Sequence, residues 1–350
     1  MENVRTELRV TTRKKTMIKE ILLGTVATVS AATIVDAETL TLNGAGASFP
    51  APVYQLWTYA YTQTGKAKVN YQSLGSGAGV NQIKNKTVDF AGTDNPLSLE
   101  EQESSGLIQF PMLMGGVVVI VNVPGVKDSE LKLSQKVLAD IFLGKITNWN
   151  DPAIAADNPG LKLPKNLPIT VVRRSDSSGT TYIFTDYLSK ISGEWKEKVG
   201  AGSSVKWPVG IGGQKNPGVC NNVSKIRGGI GYTEYAYAVE AKLVCTQLQN
   251  KEGAFVKPSV QNFAASASNA DWENTPGFVM MLTDQPGAES WPITGVTYIL
   301  IRKDASPERK AALKGYFDWC FTEGAASAAK LNYVAIPESV VGLIHEKALK

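Results

Sequence analysis

Three stretches put hydroxyls, glycines and charges where a strand hands over to a helix: GAGASFPAPVY (44–54), LGSGAGVNQI (74–83) and RRSDSSGTTYIF (173–184). A helix start leaves backbone N–H groups unpaired and carries partial positive charge, so Ser or Thr beside glycine there forms a cradle for an anion. One such turn means little, because Ser is a common N-cap; three in one chain point to an anion site. Arg174 adds a planar, permanently charged fork suited to a tetrahedral oxyanion, and Asp176, two residues on, is placed to orient it. The competing readings are a surface ion pair for Arg174 and a plain helix cap for Ser178. Asp94, in FAGTDNPLS, stands just past a strand end, where ligands of open α/β sheets gather; read alone, the Asn95-Pro96 that follows it favours a turn residue.

Catalysis finds little support beside this. The single histidine, His345, lies in the C-terminal HEKALK, a poor place for a general base. No G-x-S-x-G surrounds Ser48 or Ser178, and the S-x-x-K at Ser203 to Lys206 is a two-residue match that recurs by chance. GSGAGV (75–80) has Val80 where a dinucleotide loop wants glycine, and no P-loop is present. One His and three scattered Cys make a zinc site improbable, so no cofactor or metal is expected. What remains is recognition by N–H, hydroxyl and guanidinium groups.

The elements that must carry these groups alternate between strand and helix, which predicts an α/β architecture with parallel strands. The strands expected are 68–74, 87–92, 116–123, 169–174, 229–235 and 296–302. Helical spacing appears at Val53, Leu56, Trp57, Ala60 and Tyr61, and at Tyr182, Ile183, Leu188 and Ile191. A further helix opens at Ser306-Pro307-Glu308 and runs to Gly324. The glycine-rich region from Gly200 to Gly231 reads as loop around short elements.

The chain of 350 residues, 43% apolar and 19% charged, is long enough for about two globular domains and excludes general disorder. Lys14, Lys15 and Lys19 precede the apolar ILLGTVATVSAATIV (21–35), which closes on Val35-Asp36-Ala37: the pattern of an export signal cleaved after Ala37, with Met17 able to open it by itself. A membrane anchor is the weaker alternative, since the stretch is short and diluted by Thr, Ser and Gly. Without residues 1 to 37 the charges fall to 30 cations against 28 anions, and no basic patch remains to suggest nucleic acid. Three cysteines in an exported chain permit one disulfide and one free thiol, or three buried thiols; Cys320, in YFDWCF, is expected to be buried.

Taken together, GAGASFPAPVYQLW, YQSLGSGAGVNQI, TVDFAGTDNPLS, VVRRSDSSGTTYIFTDYLSK and VKWPVGIGG followed by GIGYTEYAYA resemble the periplasmic phosphate-binding proteins of high-affinity phosphate ABC transporters, from about residue 40 to 340. The resemblance implies a type II periplasmic binding protein fold: two α/β lobes, 38–113 plus 291–350 and 114–290, joined by two crossover strands as a hinge. It implies no enzyme activity, and a monomer that binds inorganic phosphate in the interlobe cleft and delivers it to membrane permease subunits driven by an ATPase. The anion contacts carried over are Ser48, the Phe49 N–H, Ser76, Asp94, Arg174, Ser178, the Gly179 N–H and Thr180, with Asp176 as the partner of Arg174. Ser48 stands where Thr is common, and Ser177 where Gly is common; a glycine-only backbone angle would be costly for Ser177. The resemblance also gives Asp94 a reason: phosphate near neutral pH still carries a proton that a carboxylate can accept, whereas sulfate has none to offer. The rival reading is a secreted phosphatase or phosphoryl-transfer enzyme using a cleft serine.

Overall fold

The longest apolar run of the sequence becomes the strand around which the chain is organised. In the computed structural model, which describes residues 39–350, Leu107–Val121 is a single 15-residue strand, LIQFPMLMGGVVVIV, buried at every position but Ile108. A run apolar on both faces suits a strand covered on both sides. Up to Gly116 it pairs antiparallel with Thr294–Arg302; from Val117 onward it pairs antiparallel with Gly229–Glu234. Pro111 lacks an N–H for the ladder, and the register shift between Thr297 and Tyr298 falls opposite it. The bulge absorbs the missing donor. The expected export segment, residues 1 to 37, lies outside the described residues.

The sheet runs in the order Lys68–Ser73, Thr41–Gly46, Phe90–Thr93, Thr294–Arg302, Leu107–Val121, Gly229–Glu234, Thr170–Arg174, Ile211–Gly213. At each end the neighbours are parallel: Thr41–Gly46 with both of its partners, and Thr170–Arg174 with both of its own. The centre departs from the all-parallel expectation, because Leu107–Val121 and Thr294–Arg302 run in opposite directions as the chain goes out and comes back. All six expected strands are present, but Leu107–Val121 begins nine residues before the predicted 116. Thr41–Gly46, sequence TLNGAG, is an additional strand. Its glycines hide it from propensity and are needed by packing: a Cβ at Gly44 would run into the Phe90 ring.

The predicted helices form as Ala51–Thr62, Gly179–Ile191 and Pro307–Phe321. Ser306 caps the last, its hydroxyl accepting from the Arg309 N–H at 3.3 Å. The glycine-rich region contains more order than expected, since Lys215–Lys225 is a helix. Only Val219, Cys220 and Val223 supply its apolar stripe, too narrow a signal to stand out, and Pro217 sits in the first turn, where its missing N–H costs nothing. Cys220, Cys245 and Cys320 are all buried and free. Among the described residues no helix is long and apolar enough to cross a membrane.

The helix Ser76–Lys84 lies backbone to backbone on the sheet. A Cβ on Gly79 would stand 2.5 Å from the Gly46 Cα, 2.9 Å from the Ala45 carbonyl oxygen and 3.1 Å from that of Gly92. Rigid main chain cannot give way as a flexible side chain would, so this glycine sets how close the helix start approaches the strand ends. Gly79→Ala is expected to lower stability by about 1–3 kcal/mol, as overpacking of a tight core does. Urea denaturation followed by circular dichroism checks it; an unchanged midpoint would show that the contact relaxes freely.

Candidate anion site

The three helix-start turns come together. Ser48 lies between Thr41–Gly46 and Ala51–Thr62, Ser76 opens Ser76–Lys84, and Ser178 caps Gly179–Ile191. Ser48, Phe49, Ser76, Asp94, Arg174, Ser178, Gly179 and Thr180 are all buried. The Ser76 hydroxyl accepts from the Asp94 N–H at 3.2 Å and from the Gly179 N–H at 3.1 Å, a bond spanning 103 positions of sequence. Gly77 N–H donates to the Ser177 carbonyl at 3.3 Å, Asn95 Nδ2 to Ser203 Oγ at 3.2 Å, and Tyr237 OH to the Ser48 carbonyl at 2.7 Å. The residues before 114 and those after it are thus hydrogen-bonded to each other around the site.

Arg174 ends the strand Thr170–Arg174, and its side chain is 1% exposed, which excludes a solvated surface pair. Nε donates to Asp176 Oδ1 at 2.8 Å and Nη2 to Oδ2 at 2.5 Å, a two-pronged grip that fixes the guanidinium plane. The Lys215 N–H holds the same carboxylate at 3.0 Å. Burial alone would raise the Asp176 carboxyl, but its bonds to Arg174 and Lys215 outweigh this and hold it below the usual range. Nη1 is directed to the Thr180 hydroxyl at 3.4 Å. Ser178 is a helix cap, its oxygen accepting from the Thr181 N–H at 3.1 Å. The bond occupies oxygen and leaves the hydroxyl proton free, so capping and anion binding are compatible. Ser177 is absent from the left-handed residues, so it carries no strain where glycine was the expectation.

Asp94, one residue past Phe90–Thr93, is 1% exposed. Burial pushes its carboxyl up to about 7, against the opposing pull of the nearby Thr297 hydroxyl, which makes no well-formed hydrogen bond to it, and of Arg174 and Ser76. Oδ1 is a buried atom with no hydrogen-bond partner among the described residues. The carboxylate packs directly on the start of the Gly179 helix: a Cβ at Gly179 would lie 2.6 Å from Asp94 Oδ2. A turn residue in solvent would show neither feature.

Reading the sequence missed Asn216, Glu234, Tyr237 and Tyr333, which join the site from behind. Asn216 Nδ2 donates to Ser48 Oγ at 3.1 Å and to Thr180 Oγ1 at 3.3 Å. Tyr333 OH lies 2.7 Å from the Phe49 carbonyl and 2.8 Å from Glu234 Oε2. One hydroxyl proton cannot serve two acceptors. If it goes to the carbonyl, which can only accept, Glu234 must bring a proton of its own; burial pushes the Glu234 carboxyl up to about 8, in keeping with this count. Of these residues only Asn216, within the glycine-rich stretch GIGGQKNPG (210–218), had a local signal that could have raised it.

An α/β fold with parallel strands at both ends of its main sheet and three helix starts gathered around buried hydroxyl, N–H and guanidinium groups is that of a periplasmic-type binding protein, and the family model described as a PBP superfamily domain matches residues 30–323. The chain belongs to the PstS family of phosphate-binding proteins. It is 50% identical to the phosphate-binding protein PstS of Pasteurella multocida, over 94% of this chain and 93% of that protein. With the PstS of Methanocaldococcus jannaschii it shares 41% identity, over 86% and 84%. Its fold is that of a putative phosphate ABC transporter substrate-binding protein with bound phosphate from Clostridium perfringens, at TM-score 0.62 and 18% identity, covering 85% of this chain and 100% of that one. A phosphate-binding protein of Stenotrophomonas maltophilia superposes at TM-score 0.66 and 19% identity, over 90% and 95%.

The raised Glu234 carboxyl has a stability consequence with a definite sign. Below about pH 4.5 the group is protonated folded or unfolded; between about 4.5 and about 8 the unfolded chain ionises first, so each step up in pH favours unfolding. Glu234→Gln keeps a donor there and is expected to flatten the decline of unfolding free energy across that window. Denaturant titrations at pH 5 to about 8 check it; equal slopes in wild type and variant would show that Glu234 is ionised in the folded protein.

Proposed function

We propose that Ser48, the Phe49 N–H, Ser76, Arg174, Ser178, Thr180 and the Gly179 N–H, which exchanges its bond to Ser76 Oγ for one to the ligand, donate to a phosphate oxyanion, and that Asp94 accepts the proton the anion still carries. The protein is the phosphate-binding component of a phosphate ABC transporter and not an enzyme. Phosphate sits between a lobe formed by 38–113 plus 291–350 and a lobe formed by 114–290. The hinge is a pair of crossover segments: Leu107–Val121 where it leaves Thr294–Arg302 for Gly229–Glu234, between Gly116 and Val117, and the chain leading into Thr294–Arg302, whose Ile293 carbonyl accepts from the Val117 N–H. From the cleft the anion passes to membrane permease subunits powered by an ATPase; the protein works as a periplasmic monomer after cleavage at Ala37.

The observation that carries this reading is Asp94, a fully buried carboxyl with an unpartnered oxygen among hydroxyl, N–H and guanidinium donors. A site for any anion would gain by replacing it. A site for a protonated anion needs it, because the carboxylate takes the ligand's proton and meets an unprotonated one with repulsion and an unmatched acceptor.

Equilibrium titration of ligand-stripped mature protein with phosphate and with sulfate tests the assignment. Wild type is expected to prefer phosphate by about 100-fold or more, and Asp94→Asn to narrow that gap at least tenfold, since a neutral amide removes the repulsion. Equal affinities in the wild type, or an unchanged gap in the variant, would remove Asp94 from selection. For the hinge, small-angle scattering is expected to show compaction on adding phosphate, and an identical profile with and without it would count against closure.

A further inference from the structure

Asn216 stands behind the proposed phosphate ligands and touches two of them. It lies in the first turn of Lys215–Lys225 and is 0% exposed. Its oxygen faces the Glu234 N–H at 3.3 Å and the Thr233 hydroxyl at 3.2 Å. A backbone N–H can only donate, so the atom facing it must be the amide oxygen, and the orientation of the amide group is settled by chemistry. The NH2 group therefore points to Ser48 Oγ and Thr180 Oγ1, one hydrogen to each. All four hydrogen-bonding positions of the side chain are filled.

This has a consequence for the two hydroxyls. Each has one proton and two lone pairs. Thr180 Oγ1 receives Asn216 Nδ2 and Arg174 Nη1, so both lone pairs are taken and its proton must point outward. Ser48 Oγ receives Asn216 and donates to no described residue. An amide donor behind a hydroxyl turns it into a donor in front. We propose that Asn216 is a positioning residue for phosphate recognition: by occupying one lone pair on each of Ser48 and Thr180, the second on Thr180 being taken by Arg174, it turns both hydroxyl protons toward the anion. Ser48 precedes residue 114 and Asn216 follows it, so the bond between them joins the two lobes and the arrangement is completed on closure. The inference rests on Ser48 and Thr180 being phosphate ligands.

A double-mutant cycle on phosphate affinity separates this role from mere packing. Asn216→Ala, and Asn216→Asp, which keeps an oxygen for the Glu234 N–H but cannot donate when ionised, are each expected to weaken phosphate binding about 10- to 100-fold, the range for a bond to a charged group. Melting without phosphate identifies which of the two variants is folded, and the folded one carries the test. In a Ser48→Ala/Thr180→Val background the same change at position 216 is expected to cost less than about threefold, because the hydroxyls through which it acts are gone. A loss of equal size in both backgrounds, or no loss in the wild-type background, would overturn the role of Asn216 alone. No change in affinity from Ser48→Ala and Thr180→Val themselves would bring down the ligand assignment and this role with it.

Discussion

A carboxyl group withdrawn from water is the constraint on which the site is built. Asp94 is buried with its carboxylate against the first turn of Gly179–Ile191, and burial brings its proton affinity to about 7, close to that of phosphate itself. An acceptor placed so near a nest of donors would be expelled or neutralised in most anion sites. Here the surroundings hold it in place: Ser76 takes the Asp94 N–H, and Gly179 has no side chain to push it away. The guanidinium that faces it is in turn held by Asp176. Removing one partner from so buried a pair would leave the other uncompensated, at a cost of about 3–5 kcal/mol.

The scaffold serves this arrangement through close approach. The site draws on three helix starts, and each is brought in by a glycine-rich turn. Gly79 lets one helix lie on the strand ends, Gly179 receives the carboxylate, and Gly75, at φ +99, turns the chain beside Asp176. The long strand Leu107–Val121 then carries the chain from one set of turns to the other as a single strand, interrupted only by the bulge opposite Pro111. Around the site, residues before 114 and residues after it are joined by directional polar contacts: Ser76 to Gly179, Gly77 to Ser177, Asn216 to Ser48, Tyr237 to Ser48, and Asn95 to Ser203. Contacts of this kind fix one relative geometry, because each requires its donor and acceptor to be aligned.

Much of this was legible in the sequence because the turn chemistry is local. Ser178 before a helix start, Arg174 at a strand end and Asp176 two residues on declare themselves by type and spacing, and the family motifs then add Ser48, Phe49, Ser76 and Asp94. Asp94 shows the limit of local reading: by itself it looks like a turn before Asn95-Pro96, and only tertiary burial makes it an acceptor with a raised proton affinity. Asn216 was missed for a related reason: the glycine-rich turn could have drawn attention to it but not to its role. Its role comes from what lies around it, Glu234 and Thr233 behind and Ser48 and Thr180 ahead, which no spacing along the chain records. The direction of the central strands was misread because apolar alternation carries no sign; only pairing shows that Leu107–Val121 and Thr294–Arg302 run opposite.

The central claim is that one proton, shared between Asp94 and its ligand, selects the anion. It is tested most directly by measuring phosphate and sulfate affinities as a function of pH above the Asp94 value of about 7, over roughly pH 7 to 9. Monohydrogen phosphate brings the shared proton with it, so its affinity should change little. Sulfate must recruit that proton onto Asp94, and its affinity should fall relative to phosphate by about tenfold for each pH unit. Any other group that titrates with closure affects both anions alike and cancels from the comparison. Parallel pH profiles for the two anions would contradict the account.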